Sequence, residues 1–376
     1  MKRKLAVYIG NNPAPYRVPV FNALAHETDF EFLALFSTPR EPIRDWDLPD
    51  IRFRHLFMKV RYFMFRGEHV HINFDVFVQL LRLRPDLLII SGFNPTCIFG
   101  FLYSLVSGCK LGLMIDGTPF SEARLSWMHH WVRKVVCWRL SVWFGPGDQT
   151  FALFRQLGAR ADQCFKSQLC VRNEAFEPRT EPATTKAFDL MFCGRFADGK
   201  NPEFAIDVAE RVSALLSREV MLLMLGSGPL GEATQARAAK AHGVKATFPG
   251  FASQADLPGW YQQSRVFLFP TSVDTWGVVA NEACASGMPV IVTPNAGVAG
   301  ELVLDGQTGR VLPLDAQAWA EAIAPLLLDN AEYDAMSARC KSVVSTYTFE
   351  HAAQGMRAGI RQSLGLHGEK TAPTHR

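Results

Sequence analysis

The sequence predicts an α/β chain built as two doubly wound, Rossmann-like domains facing each other across a cleft. Three observations predict it. Short apolar runs bounded by Gly, Pro or Asn alternate with stretches of helical spacing along the whole chain. The chain has 376 residues, 48% of them hydrophobic, which is more than one ordinary domain and enough for two cores. Finally, the strand and helix alternation starts afresh after Arg172–Ala187, a linker-like stretch of prolines, threonines and charges. The predicted domains are residues 1–173 and 174–348, with a helix over 349–364 crossing back onto the first and 365–376 a frayed polar tail.

In the first half, Leu5–Ile9 reads as a strand, followed by the loop Gly10-Asn-Asn-Pro-Ala-Pro-Tyr-Arg17 and a helix from about Pro19. Phe30–Phe36 is a second strand. Leu87–Ser91 and Leu111–Ile115 are central strands, ending at Gly92-Phe-Asn94 and Asp116-Gly-Thr118. Ligands of doubly wound sheets bind outside the carboxyl ends of the strands, so Asn12, Arg17, Asn94 and Asp116 are expected to line the cleft. Ile51–Arg66 interleaves five Lys/Arg with Phe, Leu, Met and Tyr and holds no acid, which suits an anionic bilayer surface or an edge strand. A helix over 123–142 sets Trp127, Trp131, Lys134 and Trp138 in one stripe, a spacing that more often marks a core face than a membrane interface.

In the second half, the strand Asp189–Cys193 runs into Gly194-Arg-Phe-Ala-Asp-Gly-Lys-Asn201 and a helix from Pro202. Arg195 and Lys200 flank a strand-to-helix turn, where phosphate is easily held. Val220–Leu225 with Gly226-Ser-Gly228 repeats the pattern, and strand Ala246–Phe248 leads to the loop Pro249–Ser253. Next come strand Val266–Pro270, a loop, a helix from about Gly277 and strand Val290–Val292. Asp274 falls just before this helix and Glu282 about two turns inside it. The two carboxylates are therefore expected to grip different parts of one elongated ligand, while backbone N–H groups from Thr275 to Val278 meet an anion.

An acidic residue, seven residues and then Glu is the hallmark that Asp274-x7-Glu282 resembles in the retaining glycosyltransferases of family 4, also called group 1. The family usually has Glu at the first position; this chain has Asp. The resemblance is strong from about Asp189 to Leu314 and implies the GT-B architecture. It implies that Arg195 and Lys200, with Gly194 and the helix start at Gly277, hold the diphosphate of a nucleotide-sugar donor. It further implies that Glu282 accepts from the ribose hydroxyls, Asp274 from the sugar, and that the Phe251–Ser253 loop runs beside the base. Many members place a histidine near the equivalent of Asp116, which here is the candidate for positioning reactants. The implied reaction is transfer of a hexose with retention, with no cofactor and no metal.

Composition limits the alternatives. No CxxC pair or His/Cys cluster has metal-ligand spacing among the eight cysteines, which read as reduced thiols of a cytoplasmic chain. Met1-Lys-Arg-Lys is followed by too short an apolar run for a signal peptide. Residues 1–173 hold 22 Lys/Arg against 14 Asp/Glu, and the remainder 17 against 22. The basic half is expected to face an anionic partner: a saccharide on a polyprenyl diphosphate at the inner face of the cytoplasmic membrane, as in surface polysaccharide assembly. No nucleic-acid motif is present, nor a complete GxGxxG with a ribose-binding acid. Two alternatives remain, a nucleotide-sugar epimerase of the same architecture and a catalytically silent nucleotide-sugar-binding partner.

Overall fold

The computed structural model describes residues 3–40, 50–60, 62–65, 68–123, 125–177 and 186–366. Arg61 and Arg66 of the basic stretch, residues 178–185 of the expected linker and the tail from 367 onward lie outside them. The chain divides into two compact units, residues 1–169 with 349–376, and residues 170–348.

The first unit carries a seven-stranded sheet formed by β1 (Lys4–Gly10), β2 (Phe30–Phe36), β3 (Arg54–Phe57), β6 (Leu87–Ile90), β7 (Lys110–Met114), β8 (Leu140–Gly145) and β9 (Cys164–Lys166). A separate antiparallel hairpin pairs β4 (Tyr62–Phe65) with β5 (Glu68–His71). The sheet order is β3-β2-β1-β6-β7-β8-β9, and every pair is parallel. Parallel sheets are covered on both faces, so their strands are apolar throughout rather than alternating. All four residues of β6 are fully buried. The helix Pro95–Ser107 follows β6 because Asn94 caps it, its Oδ1 accepting from Cys97 N at 2.9 Å, and Pro95 opens its first turn.

Two expected elements change. The basic stretch contributes an edge strand, β3, and then the hairpin strand β4. The helix expected over 123–142 is limited to Trp127–Cys137, because Leu140–Gly145 pairs with β7 as a buried strand. The helix Phe349–Leu364 completes this unit. Arg357 and Arg361 pair with Glu27, Arg361 also with Asp29, and Gly355 lies so close to the Lys166 carbonyl that a Cβ would come within 1.7 Å of it.

The second unit is a six-stranded parallel sheet of β10 (Phe188–Cys193), β11 (Val220–Leu225), β12 (Val244–Gly250), β13 (Ser264–Phe269), β14 (Val290–Val292) and β15 (Gly309–Val311). Its order is β12-β11-β10-β13-β14-β15. Helices Pro202–Leu216 and Ala316–Leu328 pack over one face, where Ile206, Trp319 and Ile323 meet Leu222, Val266 and Ile291. The stretch expected as a linker begins with a short helix, Asn173–Phe176. Asn173 Nδ2 donates to the Val344 and Tyr347 carbonyls, tying that helix into this unit.

Candidate active site

Each sheet reverses its winding once, and the loops after the two strands at that reversal form the crevice where doubly wound folds bind ligands. In the second unit the reversal lies between β10 and β13. The loops concerned are Gly194–Asn201 and Pro270–Gly277, the two stretches that carry Arg195, Lys200 and Asp274.

The backbone locks these loops together. Ser272 N donates to the Gly199 carbonyl at 2.7 Å, and Thr271 Oγ1 to the same carbonyl at 3.1 Å. Asn201, in the left-handed region at φ 50, turns its amide onto the Pro270 carbonyl and Ser272 Oγ. Across this junction Lys200 Nζ meets Asp274 Oδ2 at 2.5 Å, with both side chains partly open to solvent. Arg195 is exposed and has no ion-pair partner among the described residues. The β11 turn packs on the same loop: Gly194 N donates to the Leu225 carbonyl, and a Cβ on Gly226 (φ +137) would lie 1.9 Å from the Gly194 carbonyl oxygen.

Asp274 does two further things. Its Oδ1 accepts from Trp276 N at 3.1 Å, and its main chain pairs with Asn295–Gly297. The expected free N–H at Trp276 is therefore occupied. The Trp276 side chain also turns inward: it is 1% exposed and donates from Nε1 to Asn281 Oδ1, because an indole buried in the core needs an acceptor. The N–H groups of Gly277 and Val278 meet no acceptor among the described residues, and Gly277 caps the Val278–Ala285 helix at φ +105. Thr275 is half-buried, and its carbonyl bars any side chain at 297, since a Cβ on Gly297 would lie 2.1 Å away.

Glu282 projects from the second turn of that helix. Its Oε2 accepts from the Tyr261 hydroxyl at 2.7 Å, and loss of hydration pushes its carboxyl up to about 7. Burial, with Glu282 nearby, pushes the Cys193 thiol at the end of β10 up to about 12. Tyr261 was missed by sequence reasoning. It lies on the helix before β13, Leu257–Gln262, and no spacing motif links it to Glu282. In the neighbouring loop Phe251 is exposed, while Ser253 Oγ is engaged with Asp256 at 2.7 Å at the start of the same helix.

Residues 173–343 match the family model of glycosyl transferases group 1. This segment resembles the glycosyl transferases of group 1. The chain is 27% identical over 220 residues to the D-inositol 3-phosphate glycosyltransferase of Corynebacterium urealyticum, covering 54% of this chain and 52% of that protein. It is 31% identical over 190 residues to the glycogen synthase of Mycobacterium tuberculosis, covering 50% and 42%. The chain spans about half the length of the curated relatives it matches. In fold it is similar to Anabaena HepE in complex with UDP and glucose, with TM-score 0.71 and 14% identity over 96% of this chain and 100% of that one. The sucrose-phosphate synthase of Thermosynechococcus elongatus matches with TM-score 0.74 and 18% identity over 97% and 100%. The two units thus have the GT-B fold expected from the sequence.

In the first unit the reversal lies between β1 and β6, and a polar contact again bridges the two loops, Asn94 Nδ2 donating to Asn11 Oδ1 at 2.9 Å. Asn94 is thereby both helix cap and loop clamp, and Asn12 beside it is half-buried. Arg17, expected to line the cleft, is held in an ion pair. It is 7% exposed, reaching Asp116 Oδ1 at 2.5 Å and the Ser167 carbonyl at 3.2 Å, because a guanidinium taken out of water needs such partners. Asp116, a quarter exposed, is the edge of that pair open to solvent.

Proposed function

We propose that the protein is a retaining glycosyltransferase that moves a hexose from a nucleotide-diphosphate donor to an acceptor hydroxyl. The observation that carries this reading is the cluster at the β10/β13 reversal: Arg195 and the Gly277 and Val278 N–H groups, without partners among the described residues, Lys200 against Asp274, and Glu282 in the second helical turn. Departure of the nucleoside diphosphate is the difficult step, and its growing charge is met by Arg195, Lys200 and the Gly277–Val278 N–H groups rather than by a metal ion. Glu282 accepts from the ribose, and Asp274 from the sugar. The acceptor hydroxyl attacks from the leaving-group face, and a donor phosphate oxygen takes its proton.

The first unit selects the acceptor, which we assign as a saccharide carried on a polyprenyl diphosphate during surface polysaccharide assembly. Its basic balance supports this reading, under which the chain works in the cytoplasm at the membrane surface. No helix among the described residues is long and apolar enough to cross a membrane.

The test is a thermal-shift series with UDP, GDP, ADP and their sugar conjugates, since a ligand of the folded state raises the melting temperature by mass action. One nucleotide series should stabilise the wild type but neither Glu282→Ala nor Lys200→Ala. Equal shifts in wild type and both variants would place the nucleotide elsewhere. Binding without turnover of any donor would favour the silent partner, and donor isomerisation without acceptor the epimerase.

A further inference from the structure

The helix Trp127–Cys137 packs with one face only. Val136 and Cys137 enter the core of the first unit, and Arg133 is buried against Glu122 and 4.5 Å over the Phe93 ring. At about 100° per residue the opposite face carries Trp127, Trp131, Lys134 and, just past the last turn, Trp138. These three indoles are 81%, 61% and 83% exposed, with Met128 at 54%. The core face expected for this stripe is in fact the outer one. Three exposed tryptophans within twelve residues have no role in folding the unit, and tryptophan is the residue enriched where hydrocarbon meets water.

Two neighbouring features extend the surface. A groove of about 360 Å³ runs beside the helix, lined by Phe93, Ile98 and Phe99 on one side and Met128, Val132 and Arg133 on the other. Phe99 in turn touches the exposed Phe74 ring at 5.3 Å. From Ala123 to Gly147 the chain has no acidic residue; Lys134 is exposed on the stripe, with His129 and His130 exposed beside it, while Arg133 is taken up by Glu122.

We infer that this face is an anionic-bilayer docking surface, the helix lying in the headgroup layer with its tryptophans at the acyl boundary and the adjoining groove receiving one hydrocarbon chain. The inference rests on the lipid-linked acceptor proposed above and gives it a location, on Trp127–Trp138 rather than on the basic stretch Ile51–Arg66. Charge complementarity selects the occupant: indoles supply partition into the interface, and Lys134 supplies attraction to anionic headgroups.

The experiment is flotation of the full chain with phosphatidylglycerol-containing and pure phosphatidylcholine vesicles, alongside tryptophan emission. Wild type should float with the anionic vesicles, bind the neutral ones at least tenfold more weakly and shift its emission to the blue. The triple variant Trp127→Ser/Trp131→Ser/Trp138→Ser should lose binding by tenfold or more, and Lys134→Glu should weaken it several-fold in a salt-dependent manner. The indoles are exposed, so circular dichroism melting should show both variants folded. Absence of wild-type binding, or a triple variant that floats as well, would overturn the inference. A lipid-free dimer that the triple variant dissolves would assign the face to a second copy instead. Nucleotide thermal shifts report on the other unit: their persistence in a chain that ignores vesicles would sink only the docking surface, and their absence in a chain that floats would sink only the transferase reading.

Discussion

Lys200 Nζ and Asp274 Oδ2 lie 2.5 Å apart although the residues are 74 positions apart in sequence, and this contact spans the reversal of the second sheet. A half-open pair of this kind contributes only ~0–1 kcal/mol to stability, so the donor contact proposed for it can be tested apart from folding. Lys200→Ala should lower donor affinity about 10- to 100-fold, the ~1.5–3 kcal/mol of one charge-assisted hydrogen bond. Its melting temperature should move by less than about 4 °C. Calorimetric titration with the preferred nucleotide checks the first, and a thermal melt the second.

The carboxyl of Glu282 titrates near 7 in the fold, against 4.5 for an unperturbed glutamate. Its folded value is raised, so between about pH 4.5 and pH 7 the folded state holds the proton more tightly than the unfolded chain. The contribution of this group to stability is complete below that window and is lost as pH rises through it. Melting curves of wild type and Glu282→Gln across the window should therefore converge at the alkaline end of the titration and separate toward acid, once the glutamine offset is subtracted. Donor affinity should run the other way and strengthen as pH rises through 7, because the ionised carboxylate is the better acceptor for ribose hydroxyls.

Tyr261 supplies the hydrogen bond that favours the ionised form of that carboxylate. Tyr261→Phe keeps the ring packed against Phe176 and Phe267 and removes only the hydroxyl. The pH midpoint for donor binding should move upward in this variant, read from affinity against pH.

Gly277 is fixed by its φ of +105 and by the Phe269 ring, which a Cβ would approach to 2.2 Å. Gly277→Ala should cost about 2 kcal/mol or more of stability through backbone strain and overpacking. It should also weaken nucleotide binding beyond that of an alanine control on the far side of the unit, since it displaces the N–H groups of the helix start. Chemical denaturation and titration together separate the two effects.

Asp116→Asn leaves the Arg17 guanidinium buried without its counter-charge and should destabilise the first unit by about 2–3 kcal/mol. Adding Arg17→Met should recover part of that loss in chemical denaturation, since a buried cation without a partner is the costly state. A variant that unfolds like wild type would show that the pair is not structural.

The second unit was legible because its signals are local. A turn with Arg195 and Lys200 opens on Pro202, and a carboxylate precedes a helix at Gly277; each is a strand end meeting a helix start, written in consecutive residues. What could not be read were relations between distant residues. Nothing near Arg17 in sequence announces Asp116 and Ser167 as its partners, and nothing near Glu282 announces Tyr261. Periodicity likewise gave the stripe Trp127, Trp131, Trp138 without saying which side of the helix meets the core, because the apolar contribution of Val132, Val136 and Cys137 lies opposite and is just as periodic. Trp276 shows the same ambiguity in a loop, where its buried partner Asn281 decides the direction.

The helix Phe349–Leu364 belongs to the unit built from the first residues of the chain, whereas residues 170–348 form the other unit from one uninterrupted segment. During synthesis the ribosome therefore releases everything the second unit needs while its neighbour still lacks the cover over β8 and β9. Of the two, the half that begins last is the first able to finish. Until Arg357 and Arg361 emerge to reach Glu27 and Asp29, the first unit waits with part of its apolar surface uncovered, a window in which a chaperone would find it.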